Sequence, residues 1–246
     1  MNTLKKLLLI FITISSAQAN WFEEIKTKGS VEELYRTLHY MPKGGDLHNH
    51  LTGAAFSEWW YELALKQKNK GYEYYTKVNI QNCIDYGHNA FGQEPYYLMF
   101  RNITAHDYGN LSDCEKKEYK KLSELNNLEK ESWMNSIRLD KPHEGRDEFF
   151  QTHWNRLNVL VQNPWLQAEI AAINIQAYSK ENVSYVEYQV SEGPYKNSNG
   201  ELINANEAFD ILRKRMKQKD ILESGVIVKF QVAILRFLPN AEDQLR

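Results

Sequence analysis

The sequence predicts an α/β fold that is built on parallel strands. Three segments have the composition of β-strands: a short apolar run within 44–53, the segment 183–191 and the segment 226–236. The second and third begin about 43 residues apart, and the segment 204–222 between them has apolar residues at helical spacing. A strand, a helix and a strand in this order form a βαβ unit, whose two strands are parallel.

The first strand is predicted within the run Met41-Pro-Lys-Gly-Gly-Asp-Leu-His-Asn-His-Leu-Thr-Gly-Ala54. Glycines on both sides of the apolar part bracket a strand of about five residues. His48 and His50 are two residues apart, and side chains at positions i and i+2 of a strand point to the same face. Two convergent imidazoles are half of a typical zinc site, although histidine also binds other divalent metals. The alternative is that both histidines are exposed or hydrogen-bonded near a turn.

This run resembles the first-strand signature of adenosine deaminases, and it is most similar to their secreted, growth-factor-like branch. The resemblance implies a (β/α)8 barrel in which His48 and His50, at the end of strand one, bind Zn2+. It also implies that hydroxide generated at zinc attacks C6 of adenosine or deoxyadenosine, with ammonia as the leaving group. Most deaminases have an aspartate in contact with the nucleoside where this chain has Thr52.

The resemblance also implies a set of substrate-binding residues. Thr52 and Gly53 are expected beside the nucleoside. The run Phe149-Phe-Gln-Thr-His-Trp154 resembles the family's substrate-side helix, whose aromatic side chains form an apolar wall over the purine. Phe150 and Trp154 are therefore the expected wall residues. An aromatic stripe on a helix usually packs into the core, and this interpretation stays open.

Residues 54–182 are too many for an ordinary connection between a strand and a helix, and they are predicted to form a mostly helical insertion after strand one. Helices are expected to begin at Phe56 and within 141–157. Asn163-Pro164 breaks the second helical pattern, and a further helix is expected from Trp165 onwards.

The irregular part of this insertion, around 72–132, contains a charged run and the two cysteines of the chain. The charged run, 116–121, is predicted to be a solvated face rather than a binding patch. Cys83 and Cys114 either form a disulfide or remain two separate thiols. There is no C-x-x-C pair, so neither a zinc knuckle nor a redox motif is indicated. A deaminase of this sequence would be of the barrel type, because the H-x-E…P-C-x-x-C signature is also missing.

The polar residues of the later strands offer further candidates. Tyr185, Glu187 and Gln189 share one face of the second strand. Glu187 is predicted to pair with Lys229 on the third strand, and lining a pocket is the alternative. The remaining histidines lack ligand-like spacing and are not assigned to the metal: His39, His88, His106, His143 and His153.

Residues 1–19 are predicted to be a secretory signal peptide. Two lysines precede an apolar core over 7–14, and Ala17-Gln-Ala19 is a small-x-small cleavage site. The apolar core is far shorter than the roughly 20 residues that span a bilayer. The expected product is a secreted or periplasmic protein with no membrane association, and an uncleaved amphipathic helix is the alternative.

The charge of the chain argues against two classes of partner. The formal net charge is −2, and it becomes about −4 when the two lysines of the signal peptide are removed. This mildly acidic balance gives no electrostatic basis for binding nucleic acid or anionic membranes.

The expected organisation is a signal peptide (1–19), an N-terminal helical segment (20–40) and an incomplete amidohydrolase-type TIM barrel (41–246). Three strands leave about five further βα units to complete an eight-stranded barrel. The alternative is a complete small α/β domain with an exposed sheet edge. The family's remaining zinc ligand and catalytic motifs come from later strands. No catalytic residue is therefore assigned, and we expect the 246-residue chain alone to show no deaminase activity.

Three other functions stay open at the level of sequence. One is a different amidohydrolase, since the H-x-H pair is shared across that larger group. Another is an inactive secreted binding module that forms a homodimer through its N-terminal helical region. The last is a product of a disrupted gene, which would expose apolar surface and be poorly soluble.

Overall fold

A computed structural model of the protein describes residues 21–81, 83, 98–190 and 193–232. The predicted signal peptide and the last part of the predicted third strand, 233–236, lie outside the described residues. The described part is mixed α/β. It contains a parallel sheet of three strands and, within the insertion, a small antiparallel sheet of three short strands.

The strands are β1 (Gly44–His50), β2 (Tyr74–Lys77), β3 (Asn102–Thr104), β4 (Tyr119–Lys121), β5 (Val183–Val190), β6 (Tyr195–Lys196), β7 (Leu202–Ile203) and β8 (Ile227–Val232). The helices are α1 (21–28), α2 (Val31–Tyr40), α3 (Ser57–Lys66), α4 (Ala105–Gly109), α5 (Asp113–Lys116), α6 (Asn127–Asn135), α7 (Arg146–Glu148), α8 (Trp154–Val161), α9 (Pro164–Lys180), α10 (Ala205–Met216) and α11 (Lys219–Leu222). A π-helical turn (Phe149–His153) joins α7 to α8. No helix in the described part of the chain has both the length and the apolar character that a membrane span requires.

The parallel sheet has the strand order β1-β5-β8, and both neighbouring pairs are parallel. This confirms the predicted α/β class and the predicted succession of parallel strands. Along β5, Val186, Tyr188 and Val190 are buried, whereas the alternate residues Tyr185 and Glu187 are only partly covered. The sheet therefore has one apolar face, which packs on helices, and one polar face, which we call the open face.

Helix α9 forms the centre of the layer that covers the apolar face. Asn163 caps its first turn, because the side-chain oxygen accepts hydrogen bonds from the backbone N–H groups of Trp165 and Leu166 at 3.0 and 3.1 Å. Pro164 occupies the first helical position, where no N–H is needed. The predicted break at Asn163-Pro164 and the predicted helix after it are both confirmed.

Two helical predictions differ from the structure in detail. The segment predicted as a single helix over 204–222 forms α10 and α11, separated by residues 217–218. The guanidinium of Arg215 contacts Asp220 of α11 at 2.8 Å and Glu169 of α9 at 3.0 Å. The pair with Asp220 spans the break between the two helices, and the pair with Glu169 joins α10 to α9. The helix predicted within 141–157 begins only at Arg146.

The small antiparallel sheet of the insertion was not predicted. Its central strand β2 pairs with β3 and β4, and Lys77 at its end makes a buried ion pair with Glu118 at 2.5 Å. Glu118 is 1% exposed, so the prediction that 116–121 is a solvated face is wrong at this residue. Cys83 and Cys114 form a disulfide in the same region, which settles the alternative left open by the sequence.

We predict that Lys77→Met lowers the free energy of unfolding by about 3–5 kcal/mol, because it leaves the Glu118 carboxylate buried without its counter-charge. Urea unfolding of the purified chain measures the change. Lys120→Met is the matched control: Lys120 pairs with Glu129 at 2.7 Å, but both side chains are partly exposed, so the expected loss is below about 1 kcal/mol. Equal losses in the two variants would contradict the prediction.

Candidate functional site

His48 and His50 lie at the C-terminal end of β1 and are exposed on the open face of the sheet. Their ring centroids are 5.3 Å apart, with the rings nearly perpendicular. The two imidazoles therefore converge, as their spacing predicts. The C-terminal ends of parallel strands are also where α/β enzymes place their reactive groups.

The backbone of β1 is irregular just before this pair. Asp46 is aligned with Val186 of β5, and Asn49 is aligned with Tyr188. Two residues of β1 thus lie opposite a single residue of β5, which is the arrangement of a β-bulge. Burial and the hydrogen bond that it donates to Asp46 raise the pKa of the Tyr178 hydroxyl to about 12, and the same hydrogen bond lowers the pKa of Asp46.

A row of polar side chains continues from the histidines across the open face. The side-chain nitrogen of Gln189 lies 3.3 Å from Nδ1 of His48. Tyr185 donates a 2.6 Å hydrogen bond to Glu187, which raises the pKa of Tyr185, and Gln231 donates to the second oxygen of the same carboxylate. Within the described residues no ion pair joins Glu187 to Lys229, although the two are aligned in adjacent strands. The predicted partner of Glu187 was therefore wrong.

The donor set of the histidine pair fits a divalent transition metal. Neutral imidazole nitrogens are common zinc ligands, and two of them converge from one exposed face. They supply two of the four ligands of a tetrahedral site. In the part of the chain that the structure describes, no group of three or more His, Cys, Asp or Glu side chains is arranged to hold a metal.

A cavity of about 490 Å³ lies beside the end of β1. Thr52, Gly53 and Trp154 all line it, so three of the four predicted substrate-binding residues come together. The turn after β1 connects this cavity to the histidine pair, because the backbone N–H of Gly53 donates to the carbonyl oxygen of His50 at 2.9 Å. A larger groove of about 920 Å³, between α3, α9 and α10, is lined by none of these residues.

The fourth predicted residue, Phe150, does not line the cavity. Its side chain is 59% exposed, and the preceding residue, Phe149, lines the cavity instead. The π-helical turn adds a residue per turn relative to an α-helix, so spacing counted for an α-helix selects the wrong phenylalanine. Trp154 is 37% exposed, whereas Leu157 on the next turn is buried in the core. The aromatic residues of this segment are therefore divided between the cavity, which Phe149 and Trp154 line, and solvent, to which Phe150 is exposed.

The polar wall of the cavity includes an arginine that sequence reasoning missed. Arg138 donates to the hydroxyl of Ser57 at 2.8 Å and also to the carboxylate of Glu58. The backbone N–H at the start of α3 and the neighbouring guanidinium lower the pKa of Glu58. Arg138 follows α6 in the insertion and is 81 residues from Ser57, so no local pattern marks the contact.

His153 holds the other side of this wall together. It is 4% exposed, and its Nε2 lies 2.7 Å from the carbonyl oxygen of Arg138. Its Nδ1 lies 3.0 Å from the carbonyl oxygen of Glu148. The imidazole thus joins the 137–140 segment to the π-helical turn.

A scan of the chain against models of known protein families found no match, and a search of curated proteins found none either.

We predict that His153→Leu lowers the free energy of unfolding by about 1–3 kcal/mol, because the partly buried hydrogen bond between the imidazole and the carbonyl oxygen of Arg138 is lost. Urea unfolding measures the loss. His143→Leu, at an exposed position three residues before α7, is the control and is expected to change stability by less than about 0.5 kcal/mol. If both variants are equally stable, His153 does not join the two segments.

Proposed function

We propose that this chain contributes the metal-binding first strand and one wall of the substrate cavity of an adenosine deaminase-type hydrolase. The observation that carries the proposal is the convergence of His48 and His50 at the end of β1, just before a turn whose Thr52 and Gly53 line a cavity together with Trp154. The resemblance predicts that the first-strand signature and the aromatic helix lie next to each other. They are 100 residues apart in sequence and adjacent in space.

The parallel sheet supports the barrel as the underlying fold. Its helices cover one face, and its open face holds polar residues and the histidine pair. In a (β/α)8 barrel the helices form the outer layer, while catalytic groups lie at the C-terminal ends of the strands. We propose that β1, β5 and β8 are the first three strands of such a barrel, with the open face turned towards its interior.

His48 and His50 would hold zinc through one nitrogen of each ring. When bound, zinc makes hydroxide available near neutral pH by lowering the pKa of water. An imidazole that ligates a metal carries its proton on the other ring nitrogen, and that proton needs an acceptor. The amide of Gln189 lies beside Nδ1 of His48, and its oxygen accepts this proton when the amide is turned over. Gln189 would thereby hold His48 in the ligating tautomer.

The cavity has the chemistry that a nucleoside requires. Its volume of about 490 Å³ falls within the ordinary range for small-molecule sites, roughly 300–1,000 Å³. Phe149, Trp154 and Trp60 give it an aromatic lining, which suits the flat face of a purine. The hydroxyl of Thr52 and the carboxylate of Glu58 provide polar groups for the sugar.

A second candidate is an amidohydrolase with a different substrate. Thr52 lines the cavity at the position where most deaminases of the similar family have an aspartate. A hydroxyl is a weaker acceptor for sugar hydroxyls than a carboxylate. This single departure favours testing other amines and amides beside adenosine.

We predict that Zn2+ shifts the imidazole resonances of His48 and His50 in NMR spectra of histidine-labelled protein. His48→Ala and His50→Ala should each weaken binding by at least about tenfold, since even the loss of an outer partner of a ligand costs that much. His106→Ala serves as the control, because His106 lies in α4 of the insertion. Shifts spread evenly over all histidines would contradict a site at this pair.

Activity tests the substrate. The complete barrel that we propose, purified from its own producer, should convert adenosine to inosine and release ammonia, whereas the 246-residue chain alone should not. Chelation should abolish turnover and added Zn2+ should restore it. Hydrolysis of another amine or amide, with adenosine left intact, would favour the second candidate.

A further inference from the structure

The side chains of β1 do not alternate as those of a regular strand do. In a regular strand, residues 46, 48 and 50 all point to the same face, because side chains alternate with a period of two. In this protein Asp46 points to the helical layer, where it meets Tyr178 of α9. His48 and His50 are exposed on the opposite, open face.

The bulge in β1 explains how this reversal occurs. Asp46 is aligned with the buried Val186 and Asn49 with the buried Tyr188, so both face the helices. Leu47 and His48 lie between them, opposite Glu187 alone. The one additional residue changes the alternation, and His50 is then aligned with Gln189 on the open face. Bulges re-aim side chains in this way.

Three hydrogen bonds to a single carboxylate hold the bulge. The hydroxyl of Tyr178 donates to Oδ2 of Asp46 at 2.7 Å, and the side-chain nitrogen of Asn49 donates to the same atom at 2.9 Å. The backbone N–H of His48 donates to Oδ1 at 3.2 Å. Asp46 therefore binds His48, which lies within the bulge, and Asn49, at which the regular alignment with β5 resumes.

We infer that Asp46, fixed by Tyr178 and Asn49, is a positioning residue that holds the β1 bulge and turns His48 and His50 to the open face. The value of this arrangement for metal binding rests on the proposed function, but the orientation of the rings does not.

The side chain of Asn49 is held in place by its hydrogen bonds at the bulge. Its nitrogen contacts both Asp46 and Tyr178, the latter at 2.8 Å, while its oxygen is buried and has no hydrogen-bond partner among the described residues. Leaving a buried acceptor unpaired has a cost, so the position of this amide is set by the two contacts of its nitrogen. Position 46 needs a carboxylate, because all three of the groups that contact it donate hydrogen bonds to it.

The inference can be tested in the metal-free full chain, through the nuclear Overhauser effect between ring protons of His48 and His50. The wild type should show it. In Asp46→Asn most of the Overhauser effect should be lost. The three groups that contact residue 46 all donate hydrogen bonds, and the NH2 group of the new amide cannot accept one. Tyr178→Phe, which removes a single hydroxyl, should weaken the effect and is the variant more certain to fold.

Tyr188→Phe is the matched control. Tyr188 is also a buried tyrosine facing the helices, but its hydroxyl has no hydrogen-bond partner among the described residues. This variant should keep the full effect. An unchanged effect in both Asp46→Asn and Tyr178→Phe, or its absence in the wild type, would overturn the inference.

A Zn2+ titration of the same samples separates this inference from the proposed function. Loss of the ring contact in Asp46→Asn, together with about tenfold weaker Zn2+ binding, supports both. Loss of the ring contact in a protein whose wild type shows no Zn2+ effect would refute the metal pair and leave the positioning role of Asp46 standing.

Discussion

The burial of α9 between the parallel sheet and the other helices is the contact on which the rest of the structure depends. Nine of its 17 residues are buried, so most of the helix surface is enclosed by other elements. It contacts β5 on the sheet and α3, α8 and α10 in the helical layer. Its cap residue Asn163 also donates to the hydroxyl of Tyr74 at 2.9 Å, which ties the small antiparallel sheet to the helix. The sheet, the insertion and the cavity wall thus share one support.

This arrangement gives the two faces of the sheet different tasks. The covered face supplies apolar burial and, through Tyr178, a polar contact that reaches the backbone of β1. The open face contributes little to the core and is free to hold histidine, glutamine and glutamate side chains. Such a division is expected where a polar, functional surface has to be supported by a packed one. It also explains why the hydrogen bond from Tyr178 to Asp46, on the covered face, determines that the two histidines lie on the open face.

The histidine pair, the parallel strands and three residues that line the cavity were predictable from the sequence. Sequence reasoning succeeded where the signal is local: spacing within a strand, β-branched composition, or a Pro-based helix start. It selected Phe150 instead of Phe149 because a π-helical turn is not visible in the sequence. It paired Glu187 with Lys229 because opposite charges in adjacent strands suggest an ion pair, whereas Tyr185 and Gln231 satisfy the carboxylate. Arg138 was missed altogether, since its partners are distant in sequence.

What the sequence determined by itself is that His48 and His50 share a face and end a strand, because the two-residue period of a β-strand needs no tertiary information. Which face they share was decided only by the tertiary structure. Periodicity alone would place them on the side of Asp46, under the helices. The register with β5 inserts one residue, and a hydroxyl 132 residues away along the chain binds the carboxylate that holds the bulge. An interaction over that distance leaves no trace in local spacing, and yet it determines that both imidazoles lie on the open face of the sheet.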